Sequence, residues 1–303
     1  MVTARTHSQR TRTSAAPGQY DVVKTASMPK VPKYATGPLH SFMDYWSECF
    51  KLLHSSMQGI SVLRSMPNTL KVLKEVDTDQ DYPDEQIEDA KKNAEFAEKE
   101  CASGFPLLHA HTLVGLWGAF ESAIEDMCVG ILLNEPILLQ NSAFAKMRIP
   151  LAEFELLEKD ERMRLLLSEI QRLPGNFRRQ GFGPSEVWLD SFDLTCNIDP
   201  ETQKSIKEMH HIRNVIVHRG SIVDRRLIRE CPWMRFKIGD KVVVKHEHLG
   251  RYGSALCEFI VVLVQRLAKK YATEAKDQSK QEEVPDTNSL SPSSEIAEEK
   301  PRC

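Results

Sequence analysis

The sequence has no long apolar run. Its longest, Phe259–Val264, is six residues, against the ~20 that a bilayer-spanning helix needs, so no membrane segment is expected. It has no C-x-x-C pair either. Seven cysteines stand at positions 49, 101, 128, 196, 231, 257 and 303. An odd count at long spacings argues against a disulfide framework and a zinc ribbon, and points to a reducing, cytoplasmic compartment. G-x-G-x-x-G, the P-loop, G-x-S-x-G and H-E-x-x-H are all missing. The motif-level case for dinucleotide binding, NTP hydrolysis, serine hydrolysis or a zincin goes with them. The first twenty residues carry arginines without an apolar stretch, which does not make a secretory signal. A dominant charge sign is lacking too. With 40 Lys+Arg against 43 Asp+Glu the formal net charge is −3, which excludes a uniformly basic nucleic-acid binder and leaves room for a local basic site.

What is present is globular: 303 residues, 41% hydrophobic and 27% charged, enough for a sizeable core. Residues 1–37 are basic and rich in Ser, Thr, Pro and Gly; residues 272–303 are acidic with Ser and Pro. Neither stretch can bury enough to offset its ordering entropy, so both are expected as disordered tails. Between them the pattern is helical. Phe42, Trp46, Phe50, Leu53, Met57 and Ile60 recur at three and four residues, which predicts a helix over about 39–65. A polar helix follows Pro83. The strongest apolar helix is 107–133, with Leu113, Trp117, Phe120, Ile124, Cys128 and Ile131 on one face. Further helices are expected over 156–173, 202–217 and 249–271. Met234, Phe236 and Ile238 alternate with Arg235 and Lys237 before Gly239-Asp240 and the run 241–245. That pattern reads as a type II′ β-hairpin. The expected fold is an all-α helical bundle with one small β-hairpin before the C-terminal helix. N-terminal helices (38–104) pack on or precede the main helical domain (105–271).

One segment concentrates chemistry: His210-His211-Ile212-Arg213-Asn214-Val215-Ile216-Val217-His218-Arg219-Gly220. On a helical wheel Arg213 falls among apolar positions and therefore needs a partner. Glu121, near the apolar stripe of 107–133, is a candidate, with Glu125 one step further out. His218 sits in the last turn before Gly220, a natural C′ residue, where it can swing toward Arg213. Arg with His suits phosphodiester chemistry without a metal: imidazole moves protons near neutral pH and guanidinium holds phosphate. From Lys204 to Arg229 the chain has seven bases and two acids, the local balance of a phosphate-backbone site. The His-x-His pairs 109/111 and 246/248 have no cysteine cluster beside them, and i,i+2 positions do not converge on a helix. No metal or cofactor is expected.

The order Leu116-Trp117-Gly118-Ala119-Phe120-Glu121, then Arg213-Asn214-x3-His218, then a turn and a closing helix with Tyr252, resembles the HEPN superfamily, and within it bacterial stand-alone RiboL-PSP-HEPN-type proteins. The resemblance spans about residues 105–270. It implies a helical bundle, a homodimer with facing motifs, and metal-independent RNase activity of the kind found in toxins and antiviral defence. A separate antitoxin or regulatory protein is the implied partner beside RNA. Carried over, Arg213 and His218 are catalytic, Asn214 is the polar residue after the Arg, and Glu121 or Glu125 is the acidic residue of the earlier helix. Lys207, His211 and Arg219 are the candidate substrate contacts. The alternative is a non-catalytic HEPN-type module that binds RNA, nucleotide or protein.

Overall fold

The computed structural model describes residues 31–76, 83–140, 142–173 and 183–282. Eleven α-helices run in chain order through the described residues: α1 (Lys33–Leu63), α2 (Met66–Val76), α3 (Asp84–Ser103), α4 (Pro106–Asn134), α5 (Ser142–Ala145), α6 (Leu151–Leu156), α7 (Lys159–Arg172), α8 (Pro184–Ser191), α9 (Pro200–Arg219), α10 (Arg225–Glu230) and α11 (His246–Glu282). Two short 3-10 turns, Pro136–Gln140 and Pro232–Met234, join them.

Helix α4 is the axis of the bundle. Leu113, Leu116, Trp117, Phe120, Ala123, Ile124, Met127, Cys128, Ile131 and Leu132 are all buried, so it is covered on most sides rather than along one stripe. The helix starts sharply. Gly104 and Phe105 both adopt left-handed backbone, φ 75° and 56°, and Pro106 then takes the first helical position, where its missing N–H costs nothing. Helix α1 lies along α4, and Phe42 and Phe259 each meet Phe120 edge-on. Close approach is bought by glycine: a Cβ on Gly130 would stand 2.5 Å from the Tyr34 carbonyl oxygen, and one on Gly253 would stand 2.9 Å from Trp46 Nε1. Glu135, just past α4, accepts from Tyr34 Oη at 2.9 Å and from Tyr271 Oη, tying α1 and α11 to the same end.

Helix α9 has the best-defined ends. Asp199 accepts from the N–H groups of Glu201 and Thr202 at 2.9 and 3.1 Å, satisfying donors that a helix N-terminus leaves over. Pro200 follows at the first position, and Gly220 closes the helix at φ 58° with its N–H on the Val215 carbonyl.

The expected β-hairpin is not formed. The described residues contain no strand, only an isolated antiparallel bridge between Ile222 and Lys241. Pro232–Met234 is a 3-10 turn and Arg235 takes a left-handed φ of 56°, so the run that alternates in sequence is broken at its start and no strand forms over it. Gly239, with φ 88°, is the third residue of the turn closed by Asp240 N–H on the Lys237 carbonyl at 3.1 Å. A type II′ hairpin turn needs its positive φ at the second residue. The following run instead bonds back to the end of α9: Val223 N–H to the Asp240 carbonyl at 2.9 Å and Val242 N–H to the Ser221 carbonyl at 2.8 Å. Both ends of the body also extend beyond expectation. Helix α1 begins at Lys33 with Ala35 buried, inside the stretch read as a 1–37 tail, and α11 continues to Glu282, past the 271 boundary. Residues 1–30 and 283–303, the remainder of both expected tails, lie outside the described residues. No described helix is long and apolar enough to cross a membrane.

Candidate functional site

The site is built on the C-terminal half of α9, faced by α4 on one side and α10 on the other. The five-residue spacing of Arg213 and His218 sets them about 140° apart on the helix. Because α9 continues regularly to Arg219, His218 keeps its wheel position and does not swing toward Arg213. The two residues therefore serve different faces.

On the α4 face, Arg213 Nη2 lies 3.6 Å from Glu121 Oε2, with both side chains about a quarter exposed. Its Nη1 donates to Asn214 Oδ1 at 3.0 Å. The Asn214 amide is thereby oriented, and its Nδ2 meets His210 Nε2 at 3.1 Å. An amide N–H can only donate, so His210 Nε2 accepts and the ring carries its proton on Nδ1. That ring is buried, 5.1 Å from the Trp117 ring and 4.9 Å from that of His211. Burial, reinforced by His211, Arg226 and Arg213, pushes His210 down to about 3. Burial and Arg226 likewise push His211 down to about 4. Both imidazoles are neutral at pH 7. Burial raises the Glu121 carboxyl, against the pull of Trp117 and Arg213. Of the two candidate acids it is Glu121 that meets Arg213; Glu125 turns away to Arg164 at 3.1 Å, which also holds Asp126 at 2.5 Å.

On the α10 face a cleft of about 300 Å³ opens, lined by His211, Asn214, Val215, His218, Arg219, Asp224, Arg226 and Leu227. His218 is exposed. Arg219 Nε stands 3.7 Å from Asp224 Oδ2, and Asp224 also caps α10 by accepting from Leu227 N–H at 2.9 Å. Asn214 is the residue common to both faces. Of the expected site residues, the cleft gathers His218, Asn214, His211 and Arg219. Arg213 and Glu121 stand behind it. Lys207 lies further along α9, its Nζ 3.3 Å from Glu230 Oε2 and its side chain 16% exposed. Arg178 and Arg179, two further bases N-terminal to the Lys204–Arg229 stretch, lie outside the described residues.

Sequence reasoning missed three residues. Arg226 lines the cleft and helps depress both histidines. His210 is the buried partner of Asn214. Glu208 is 3% exposed and accepts from Trp233 Nε1 at 2.5 Å, from Tyr252 Oη at 3.2 Å and from Arg251. The wheel carried the signal for Glu208, because at ~100° per residue it falls between Ile212 and Val215, both buried.

Among the described residues no three His, Cys, Asp or Glu side chains group as a metal-ligand set. Compared with protein-family models, curated proteins and solved structures, the chain matches none.

Proposed function

We propose that the chain is a cytoplasmic, metal-independent endoribonuclease of HEPN type that acts as a homodimer. The observation that carries the reading is the cleft that sets an exposed imidazole, His218, beside an oriented amide, Asn214, and two guanidinium groups, Arg219 and Arg226. In the proposed step the ribose 2′-oxygen attacks the adjacent phosphorus and the P–O5′ bond breaks. Neutral His218 takes the 2′-hydroxyl proton, and the departing O5′ takes one from a second, protonated imidazole. Two facing motifs in a dimer supply one ring in each state. The products are a 2′,3′-cyclic phosphate and a free 5′-hydroxyl. Arg219 and Arg226 hold the phosphate as its charge develops. Arg213 acts as a positioning residue, through the Asn214 amide. Toxin or defence activity under the control of a separate antitoxin or regulator fits such a nuclease.

A second reading has its own support. The Arg213 guanidinium is already engaged by Glu121 and Asn214, as it would be in a module that binds RNA, nucleotide or protein without cutting.

The test is cleavage of labelled single-stranded RNA in excess EDTA. The wild type is expected to cut and leave cyclic phosphate ends. His218→Ala is expected to lose activity by about 10² or more at an unchanged melting temperature, and Arg213→Ala to lower both. No cleavage by well-folded dimer selects the binding module. Equal cleavage by all three removes the assignment.

A further inference from the structure

We infer that the chain carries a base-stacking platform, Trp233, at the end of a single-strand track that runs from the cleft along α9. The inference rests on the proposed RNA reading and names its substrate as single-stranded. Trp233 is an exposed aromatic, 38% accessible, and it is rigidly held. Its indole N–H donates to Glu208 at 2.5 Å, and that buried carboxylate is fixed in turn by Tyr252 and Arg251. A surface tryptophan needs no such anchor to be solvated. The anchor fixes the plane of the ring while much of the side chain stays in water. Two ammonium groups stand over the ring, Lys204 Nζ at 5.7 Å and Lys207 Nζ at 6.0 Å from its centroid. An aromatic face with cations at hand is what sequence-tolerant binding of single strands uses, the base stacking and the cations meeting the backbone.

The placement joins this platform to the cleft. Lys204, Lys207, His211, Asn214 and His218 follow one another at three- and four-residue steps, so they form one stripe on α9 about 21 Å long. His218, Asn214 and His211 line the cleft at one end, and the lysines flank Trp233 at the other. Helix α10 bridges the same two points, with Arg226 in the cleft and the 3-10 turn that carries Trp233 just beyond its C-terminus. The acids along the track are paired with its own cations, Glu230 with Lys207 and Arg229, Glu201 with Lys204 and Asp224 with Arg219, and a phosphate would compete with them for those cations.

The test is binding of an oligouridylate of about ten nucleotides to full-length His218→Ala protein, which removes the proposed proton acceptor. Trp233→Ala and Trp233→Phe are added to that background. Both lose the bond to Glu208, so the pair separates the aromatic face from the anchor. Tryptophan to alanine is expected to weaken binding by about tenfold, a single stacking contact, with phenylalanine within about threefold of the parent at equal helicity. Duplex RNA, whose bases are already stacked, is expected to show no difference among the three. Equal oligouridylate binding by alanine and parent overturns the platform and leaves the nuclease reading standing. The same loss on duplex, or equal loss by phenylalanine and alanine, also overturns it, since the residue then acts through the fold. Absence of any RNA binding by the parent, together with no cleavage by the wild type, overturns both readings together.

Discussion

At the scale of the residue, the buried polar groups of α9 make the sharpest predictions. Glu208 is the costliest, since a carboxylate out of water is stable only when fully bonded. Glu208→Ala leaves the Tyr252 hydroxyl and the Trp233 N–H without their acceptor. The expected cost is about 2–4 kcal/mol, read as a shift in the urea midpoint. A change within about 0.5 kcal/mol would show that the network does not hold the fold. His210 and His211 predict a pH dependence. Their folded values are about 3 and about 4, below the unfolded value near 6.5, so the unfolded chain takes up protons first on acidification. The stability they contribute is complete above about pH 6.5 and falls as pH drops toward their folded values. His109 and His248, lowered mainly by burial, add to the same slope, while the raised carboxyl of Glu121 opposes it. Unfolding midpoints between about pH 7 and 5.5 read mostly histidine, and there His210→Gln is expected to flatten the slope. An unchanged slope would show that His210 does not titrate on unfolding.

At the scale of the element, helix ends and close crossings decide what a substitution does. Asp199→Ala removes the acceptor for two N–H groups at the start of α9, with an expected loss of about 1 kcal/mol. Gly130→Ala should cost more than its helix propensity returns. The new Cβ would meet a backbone oxygen at 2.5 Å, and backbone cannot rotate away as a side chain can, so about 2 kcal/mol of net destabilisation is expected by thermal melt. The same scale explains what the sequence made legible. Periodicity located the long helices because each buries a face, and the need of Arg213 for a partner followed from where the wheel put it. The hairpin was misread because alternation in Met234–Ile238 looks the same whether or not the backbone is extended. The αL conformation of Arg235 and the position of Gly239 in its turn are tertiary outcomes. Choosing Glu121 over Glu125 required the position of Arg164, on a helix nearly forty residues away. The cleft itself was invisible, because Arg226 reaches it from a helix of only six residues whose angle to α9 no local pattern encodes.

At the scale of the whole molecule, one core runs through both segments that the sequence divided at 104/105. Ala35, Leu39, Phe42 and Leu53 of α1 belong to the same buried cluster as Trp117, Phe120 and Ile131 of α4 and as Tyr252 and Phe259 of α11. Helix α4 buries large side chains over most of its circumference and turns only a narrow polar strip outward, so it depends on α1 for cover. A chain beginning at Gly104 would keep every residue of the cleft and lose the layer that buries the axis of the bundle. Uncovering several large side chains, each worth about 1.5–3 kcal/mol when buried, is comparable with the total stability of a typical domain, about 5–15 kcal/mol. The expected result is a chain that aggregates, or that binds a hydrophobic dye and shows no cooperative melt. A cooperative unfolding transition in that chain, with wild-type RNA affinity, would show instead that 105–271 is a domain in its own right and that α1–α3 are an addition to it. The prediction couples fold to function. Arg213 reaches Glu121 only while α4 stays seated, and through Asn214 that contact sets the edge of the cleft, so a disturbance at the α1–α4 crossing should reach the site. Gly130→Ala protein, assayed below its melting transition, is therefore expected to bind RNA more weakly than wild type.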